Sequence, residues 1–275
     1  MPHVTTNDGV KLVYQEAGRG TPIVMIPGWS QSAALFKHQM AGLSDRYRVI
    51  AVDMRGHGES DKPNYGYRMG RLAKDLHDFL TALDLRNVVI MAHSMGCSVT
   101  WGYLDLFGSD RISKLILIDE PAWVMNTPDM SEEEKANLGA IIDAEGAVGL
   151  YMGLRSDQAR AVIEGFVGGM LTKNIAPDLK AWIIEENLKF PSVEAAELVL
   201  HHICIDWRDV IRRITLPTLV VGGKASHVPW QSQIWIHEQI AGSQLEIFEE
   251  KDGGSHFMFL EGPEKFNKLV ADFIG

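Results

Sequence analysis

Cysteine is nearly absent from this chain of 275 residues, which carries only Cys97 and Cys204. Two thiols cannot make a disulfide framework, so the fold rests on its core and the protein belongs to a reducing compartment or is indifferent to redox. Long hydrophobic runs are absent too. No stretch reaches about 18 apolar residues, so none is expected to span a bilayer. The start, Met1-Pro2-His3-Val4-Thr5-Thr6-Asn7, has neither a basic region nor an apolar run and does not read as a secretory signal. Basic residues are in the minority, 26 Lys and Arg against 36 Asp and Glu, for a net charge of −10. An acidic surface repels phosphate backbones and anionic lipid, so neither nucleic acid nor a membrane is expected as a partner. Repeats and low-complexity segments are missing as well. Apolar residues, by contrast, make up 46% of the chain, which excludes disorder. At roughly 150 residues per domain, the length fits one large domain or a core with an insert. A cytoplasmic globular protein is expected.

Short runs rich in Val and Ile alternate with longer amphipathic stretches, the pattern of a parallel sheet covered by helices. An alternating hairpin around Val10 to Gln15, with a turn at Gly18-Arg19-Gly20, precedes runs at Ile23 to Ile26, Val49 to Val52, Val88 to Met91, Leu115 to Ile118, Leu219 to Val221 and Leu245 to Phe248. Runs this apolar fit strands buried on both faces. Helical periodicity fills the gaps, as in Leu72, Leu76, Phe79, Leu80 and Leu83. The alternation breaks once, between Ile118 and Leu219, where a structureless loop of that length is improbable. Ser131-Glu132-Glu133-Glu134 is a capping-box pattern there, and Pro177 and Pro191 punctuate later helices. The expected organisation is an α/β core of residues 1–120 and 207–275 interrupted by a helical cap, 121–206.

The sharpest chemical signal is Ala92-His93-Ser94-Met95-Gly96, directly after one strand and before a helix. A serine on a tight strand-to-helix turn needs small flanking residues, and Ala92 and Gly96 supply them. The helix N-terminus beneath it adds positive partial charge where an oxyanion would form. A serine hydroxyl is a weak nucleophile near neutral pH and needs a histidine base. Among the ten histidines, His256 is best placed, in Gly254-Ser255-His256-Phe257 on a late loop after the last strand. His93 is read as a residue that packs or that supports the site from behind, His57 lies in a glycine-rich turn, and His201 and His202 fall in the cap. Apart from that adjacent pair no Cys/His pair has metal-ligand spacing, and neither a metal nor another cofactor is expected.

The base in turn needs a buried carboxylate to fix its tautomer. After the strand Leu219 to Val221, the loop Gly222-Gly223-Lys224-Ala225-Ser226-His227-Val228-Pro229 contains none. The end of the preceding core strand, Leu117-Ile118-Asp119-Glu120-Pro121, offers two. Asp119, 25 positions after Ser94, is the preferred orienting acid and Glu120 the alternative. Oxyanion donors are expected from the backbone N–H groups of Met95 and of Trp29, the latter in Pro27-Gly28-Trp29-Ser30.

Together these residues resemble the α/β-hydrolase superfamily over nearly the whole chain. The matches are Pro27-Gly28-Trp29, Asp53-x-Arg55-Gly56-His57-Gly58-x-Ser60-Asp61-Lys62-Pro63, the Ser94 elbow, Leu216-Pro217-Thr218 and Gly254-Ser255-His256. The resemblance implies a mostly parallel eight-stranded sheet with helices on both faces and an inserted helical cap. It points to the serine-nucleophile branch of esterases, lactonases and haloperoxidase-like enzymes. The family's usual acid position corresponds to Ala225, and its usual His-Gly loop to Pro27-Gly28. A carboxylate after the earlier strand is similar to zearalenone-type lactonases and cofactor-free quinolone 2,4-dioxygenases. Those dioxygenases carry imidazoles where this chain has Met95 and Gln31.

The expected activity is hydrolysis of a small apolar carboxylic ester or lactone through an acyl-enzyme, by a monomer or homodimer. Cofactor-free oxygenation and slow-turnover ligand reception are the alternatives. Trp123, Met125, Met152, Phe166 and Trp182, with Met170 and Trp207, are expected to form or back an adaptable apolar pocket under the cap.

Overall fold

The computed structural model describes all of Met1–Gly275. Strands β1 (His3–Thr5), β2 (Lys11–Ala17), β3 (Pro22–Ile26), β4 (Arg48–Val52), β5 (Val88–His93), β6 (Ile112–Ile118), β7 (Thr218–Gly223) and β8 (Gln244–Phe248) form one sheet. Its order is β1-β2-β4-β3-β5-β6-β7-β8. The pairs β1–β2 and β2–β4 are antiparallel and all others parallel. Every residue of β5 and β7 is buried, as strands covered on both faces must be.

The edge departs from the sequence expectation in two ways. Strand β1 has a single buried residue, Val4, too little to register as an apolar run. The Gly18–Gly20 turn does not join neighbouring strands either, because β2 pairs with β1 and β4 while β3 lies one place further in. The alternation of buried Leu12 and Tyr14 fixes which face of β2 is covered but not which neighbour it takes.

Helices α1 (Lys37–Leu43), α2 (Met69–Ala82) and α3 (Met95–Phe107) belong to the first half. Leu72, Leu76, Phe79 and Leu80 form the buried stripe of α2, which packs on α3. Between β6 and β7 lie α4 (Glu132–Leu138), α5 (Ala144–Leu154), α6 (Ala159–Gly168), α7 (Pro177–Asn187), α8 (Ser192–Ile203) and the short α9 (Arg208–Ile211). The α4 capping box forms: Glu134 N–H donates to Ser131 Oγ and Ser131 N–H to Glu134 Oε2. An isolated antiparallel bridge between Trp123 and Asp206 brings the two ends of this helical segment together. Helices α10 (Gln231–Gln239), α11 (Met258–Glu261) and α12 (Pro263–Ile274) complete the chain, with α12 packed on α1. No helix is long and apolar enough to cross a membrane.

Candidate active site

Three loops leaving the carboxyl ends of β5, β6 and β8 bring Ser94, Asp119 and His256 to one edge of the sheet. Ser94 has φ 52° and ψ −133°, and Asp119 has φ 54°. Left-handed backbone at such residues costs about 1–3 kcal/mol each and persists only where the surroundings over-determine it. Here the parallel ladder continues past the strand ends. Ser94 N–H donates to Ile118 O and Asp119 N–H to Val221 O, both at 2.8 Å. Each turn is thereby tied to the next strand.

The β3 loop crosses close above the elbow, which is why glycine is needed at two places. A Cβ on Gly96 would lie 2.5 Å from Ile26 O, and one on Gly28 would lie 2.8 Å from Ser94 Cβ. The Trp29 indole donates to Ala195 O at 2.9 Å, while its backbone N–H has no acceptor in the protein. Met95 opens α3, so its N–H is among the helix-start donors without an intrahelical partner. Ser30, also at positive φ, is held by Asn187 Oδ1, and its N–H donates to His57 Nε2. Asp53 accepts from the Ala33 and Glu59 N–H groups. The Asp53 to Pro63 turn thus braces the Trp29 loop from behind.

His256 Nδ1 lies 2.7 Å from Asp119 Oδ2. Asp119 also accepts from the Ser226 hydroxyl at its Oδ2 and from Gly223 N–H at its Oδ1. The backbone of His256 is gripped on both sides, its N–H by Met170 O at 3.1 Å and its C=O by His93 Nε2 at 2.8 Å. His93 Nδ1 faces Gln31 Oε1, which also accepts from Gly28 N–H. His93, expected to pack or to support the site, therefore links the histidine loop to the β3 loop. Glu120 does not reach His256. Its Oε1 accepts from Ser98 Oγ at 2.6 Å, one helical turn beyond Ser94.

Burial sets the protonation states. It pushes the Asp119 carboxyl up to about 7 against the lowering effects of the Ser226 hydroxyl, His227 and Gly223 N–H. His256 is pushed down to about 3. With a neutral imidazole donating Nδ1–H to Asp119, Nε2 carries the lone pair, and that nitrogen has no partner in the protein.

A cavity of about 40 Å³ opens beside Ser94. Trp29, Gln31, Val124, Ile141, Phe166, Met170, Val199 and Val228 are among its lining, together with the polar Glu120, His202 and His227. Of the five side chains expected to wall a pocket, Phe166 lines this cavity. Trp123, Met125, Met152 and Trp182 do not. Trp123 lies under the Arg208 guanidinium and Trp182 under the Lys37 ammonium. Met152 is 60% exposed on α5 and Met125 forms a bridge with Ile142. The two cavity histidines were not assigned from sequence, although His227 lies in the very loop searched for a carboxylate.

These buried groups give a pH dependence of stability. Glu120, pushed up to about 8, and Asp119 contribute stability that is present below the unfolded carboxyl range and lost as pH rises through about 7 to 8. His57, His202, His227 and His256, pushed down to about 4 or 3, contribute stability present above 6.5 and lost as pH falls. Below 6.5 the four imidazoles outweigh the two carboxyls, and above it only the carboxyls act. The melting temperature should therefore peak near pH 6.5 and decline on both sides, with the alkaline decline reduced in Glu120→Gln. A melting temperature still rising from pH 7 to 8 would contradict this assignment.

A strand-turn-helix serine, an imidazole and a buried carboxylate at the carboxyl ends of an eight-stranded, mostly parallel sheet are the arrangement of the α/β-hydrolase fold, which this chain adopts. Residues 21–144 match the family model for the α/β-hydrolase fold. The chain is 29% identical over 287 residues to the non-heme chloroperoxidase CPO-A1 of Kitasatospora aureofaciens, covering 100% of this chain and 99% of that one. An esterase from Exiguobacterium antarcticum superposes with a TM-score of 0.88 at 29% identity, covering 99% of both chains. A bromoperoxidase from Bacillus anthracis, at 24% identity and TM-score 0.90 over 99% of both chains, shares the fold. The protein is a hydrolase-fold enzyme.

Proposed function

We propose that the protein is a serine hydrolase of small apolar carboxylic esters or lactones, with Ser94, His256 and Asp119 as its catalytic groups. The observation that carries this reading is the unpartnered Nε2 of a His256 whose Nδ1 is already committed to Asp119. Nε2 takes the Ser94 proton as Oγ attacks the carbonyl carbon, and the Trp29 and Met95 N–H groups hold the oxyanion. Collapse breaks the ester C–O bond, and His256 returns the proton to the leaving alcohol. Water, deprotonated by His256, then cleaves the acyl-enzyme and releases the acid. The identity to an esterase over nearly the full chain supports ester chemistry.

The cavity of about 40 Å³ holds only about three or four waters at roughly 10–15 Å³ each. Substrate entry therefore displaces side chains or helices of residues 121–206, which act as a cap. Aromatic and aliphatic walls favour an apolar acyl or aryl group.

A fluorophosphonate should add one equivalent to the Ser94 peptide, detected by mass spectrometry, and abolish hydrolysis of p-nitrophenyl esters. No adduct, or an adduct elsewhere, would overturn the assignment. A second reading, cofactor-free oxygenation, draws on the carboxylate following β6. It would keep His256 and Asp119 as the base and use Ser94 to orient substrate. Oxygen uptake with a 3-hydroxy-4-quinolone, without ester hydrolysis, would select it.

A further inference from the structure

The loop after β3 carries a polar side chain that neither the catalytic groups nor the apolar wall accounts for. Gln31 is 2% exposed and lines the cavity together with Ser94 and Trp29. Its Oε1 accepts from Gly28 N–H at 2.9 Å and faces His93 Nδ1 at 2.8 Å. Its Nε2 donates to no group of the protein, yet is not among the polar atoms sealed from water. The little surface that Gln31 keeps thus includes its NH₂ group, which opens on the cavity the residue lines. Buried polar groups are paired as a rule, so a free NH₂ beside a reactive serine is a donor set aside for an acceptor that arrives with the substrate.

Neighbouring atoms fix both the direction of this group and its reach. Gly28 N–H can only donate, so the carboxamide atom it meets is the oxygen and the free end is the NH₂, whichever ring nitrogen of His93 holds a proton. A Cβ on Gly28 would lie 2.6 Å from Gln31 Nε2 and 2.8 Å from Ser94 Cβ. The nitrogen and the serine carbon therefore flank one point and stand at most about 5.4 Å apart, the sum of those two distances. Gly28 leaves that point open, and its peptide bond to Trp29 brings the Trp29 N–H next to it. When Ser94 Oγ attacks a carbonyl, the new oxyanion stands three bonds from Ser94 Cβ, roughly 3 Å away. Nε2 is then in reach of it for a hydrogen bond of about 2.7–3.1 Å.

We infer that the Gln31 carboxamide is a third donor to the oxyanion, a catalytic side chain beside the Trp29 and Met95 N–H groups. A carbonyl oxygen offers two lone pairs, which those two backbone donors use, whereas the oxyanion offers a third. Gln31 therefore binds the transition state more than the bound ester, which is the condition for raising kcat rather than lowering KM. The amide is already oriented before substrate arrives, because Gly28 N–H and His93 hold its oxygen. His93 also contacts the carbonyl of His256, so donor and base share one frame. The inference rests on the ester-hydrolase reading and adds to it a residue that acts on the reacting oxygen.

The test compares Gln31→Leu with the wild type on p-nitrophenyl butyrate. In the variant kcat should fall by about 10²-fold or more while KM stays within about threefold. Phenethyl trifluoromethyl ketone, which adds to a serine as a tetrahedral oxyanion, should lose affinity by a similar factor. Phenethyl methyl ketone, which binds without adding, should change by less than about threefold. NMR of the glutamine side-chain amides gives a readout that a merely bracing role would not move. One NH₂ resonance of the wild type should shift downfield with the trifluoromethyl ketone and not with the methyl ketone, and it should be missing from Gln31→Leu. A kcat within about threefold of wild type, equal losses of affinity for the two ketones, or no glutamine NH₂ that responds overturns the inference while leaving hydrolysis intact. If Gln31→Leu fails to fold, Gln31→Met replaces it, and the wild-type spectrum decides without either variant, since Gln31 is the one glutamine lining the cavity. A wild type that turns over no ester and forms no adduct with the trifluoromethyl ketone overturns the hydrolase reading instead, and the third donor with it.

Discussion

Ser94→Ala is expected to lower kcat/KM for p-nitrophenyl esters by on the order of 10⁴-fold or more. The change deletes the atom that would become acylated, so only positioning and the two backbone donors remain to help water. The fold should tolerate it. Ser94 Oγ is not used to cap α3, and the elbow is held by backbone bonds that alanine keeps: Ser94 N–H to Ile118 O and Cys97 N–H to Ser94 O. Alanine adopts the 52° φ no worse than serine does. A near-wild-type melting temperature should therefore accompany the loss of turnover. The same variant separates the two chemistries, since an oxygenase using Ser94 only to orient substrate would lose far less. Ester turnover within about tenfold of wild type would exclude an acyl-enzyme on Ser94.

The strands were legible because their chemistry is redundant. Ile23 to Ile26, Val49 to Val52 and Val88 to Met91 are buried on both faces, so each carries its own signal. Ser94 and His256 were legible because strand-turn-helix geometry constrains small residues near them. The acid was narrowed to two adjacent residues and no further. Asp119 and Glu120 differ by one position at a strand end, and a backbone kink at φ 54° decides which points at His256. No local pattern encodes that kink, because it is imposed by the Val221 and Gly223 contacts from β7.

The cavity wall was the least legible part. Short helices carry apolar residues on several faces, and which face meets the site depends on how α5 through α8 pack together. Large aromatics such as Trp123 and Trp182 were drawn to cations instead, whereas the less conspicuous Val199 and Ile203 of α8 reach the cavity. His202 lies between them in kind, a polar residue on a buried helical face. From sequence alone it reads as half of an adjacent histidine pair with no partner to give it meaning.

Asp119→Asn should reduce kcat by about 10⁴-fold, for a reason the surrounding donors dictate. Gly223 N–H donates to Oδ1 and the Ser226 hydroxyl is directed at Oδ2 together with His256 Nδ1. In the asparagine variant, the side-chain carbonyl must remain where Gly223 N–H can reach it. The amide NH₂ is then turned toward His256 Nδ1, where it donates rather than accepts. His256 is driven into its Nε2–H tautomer, and the lone pair needed by Ser94 disappears. Stability should move the other way or hardly at all. Burial opposes the Asp119 charge, so a neutral amide removes an unfavourable term above about pH 7. Lost activity with an unchanged or raised melting temperature at pH 8 is the expected signature. The fall in kcat should exceed that of Glu120→Gln by about 100-fold or more, since Glu120 touches Ser98 and His202 rather than the base. Equal losses in the two variants, measured with the same unsubstituted ester, would remove Asp119 from the role of orienting acid.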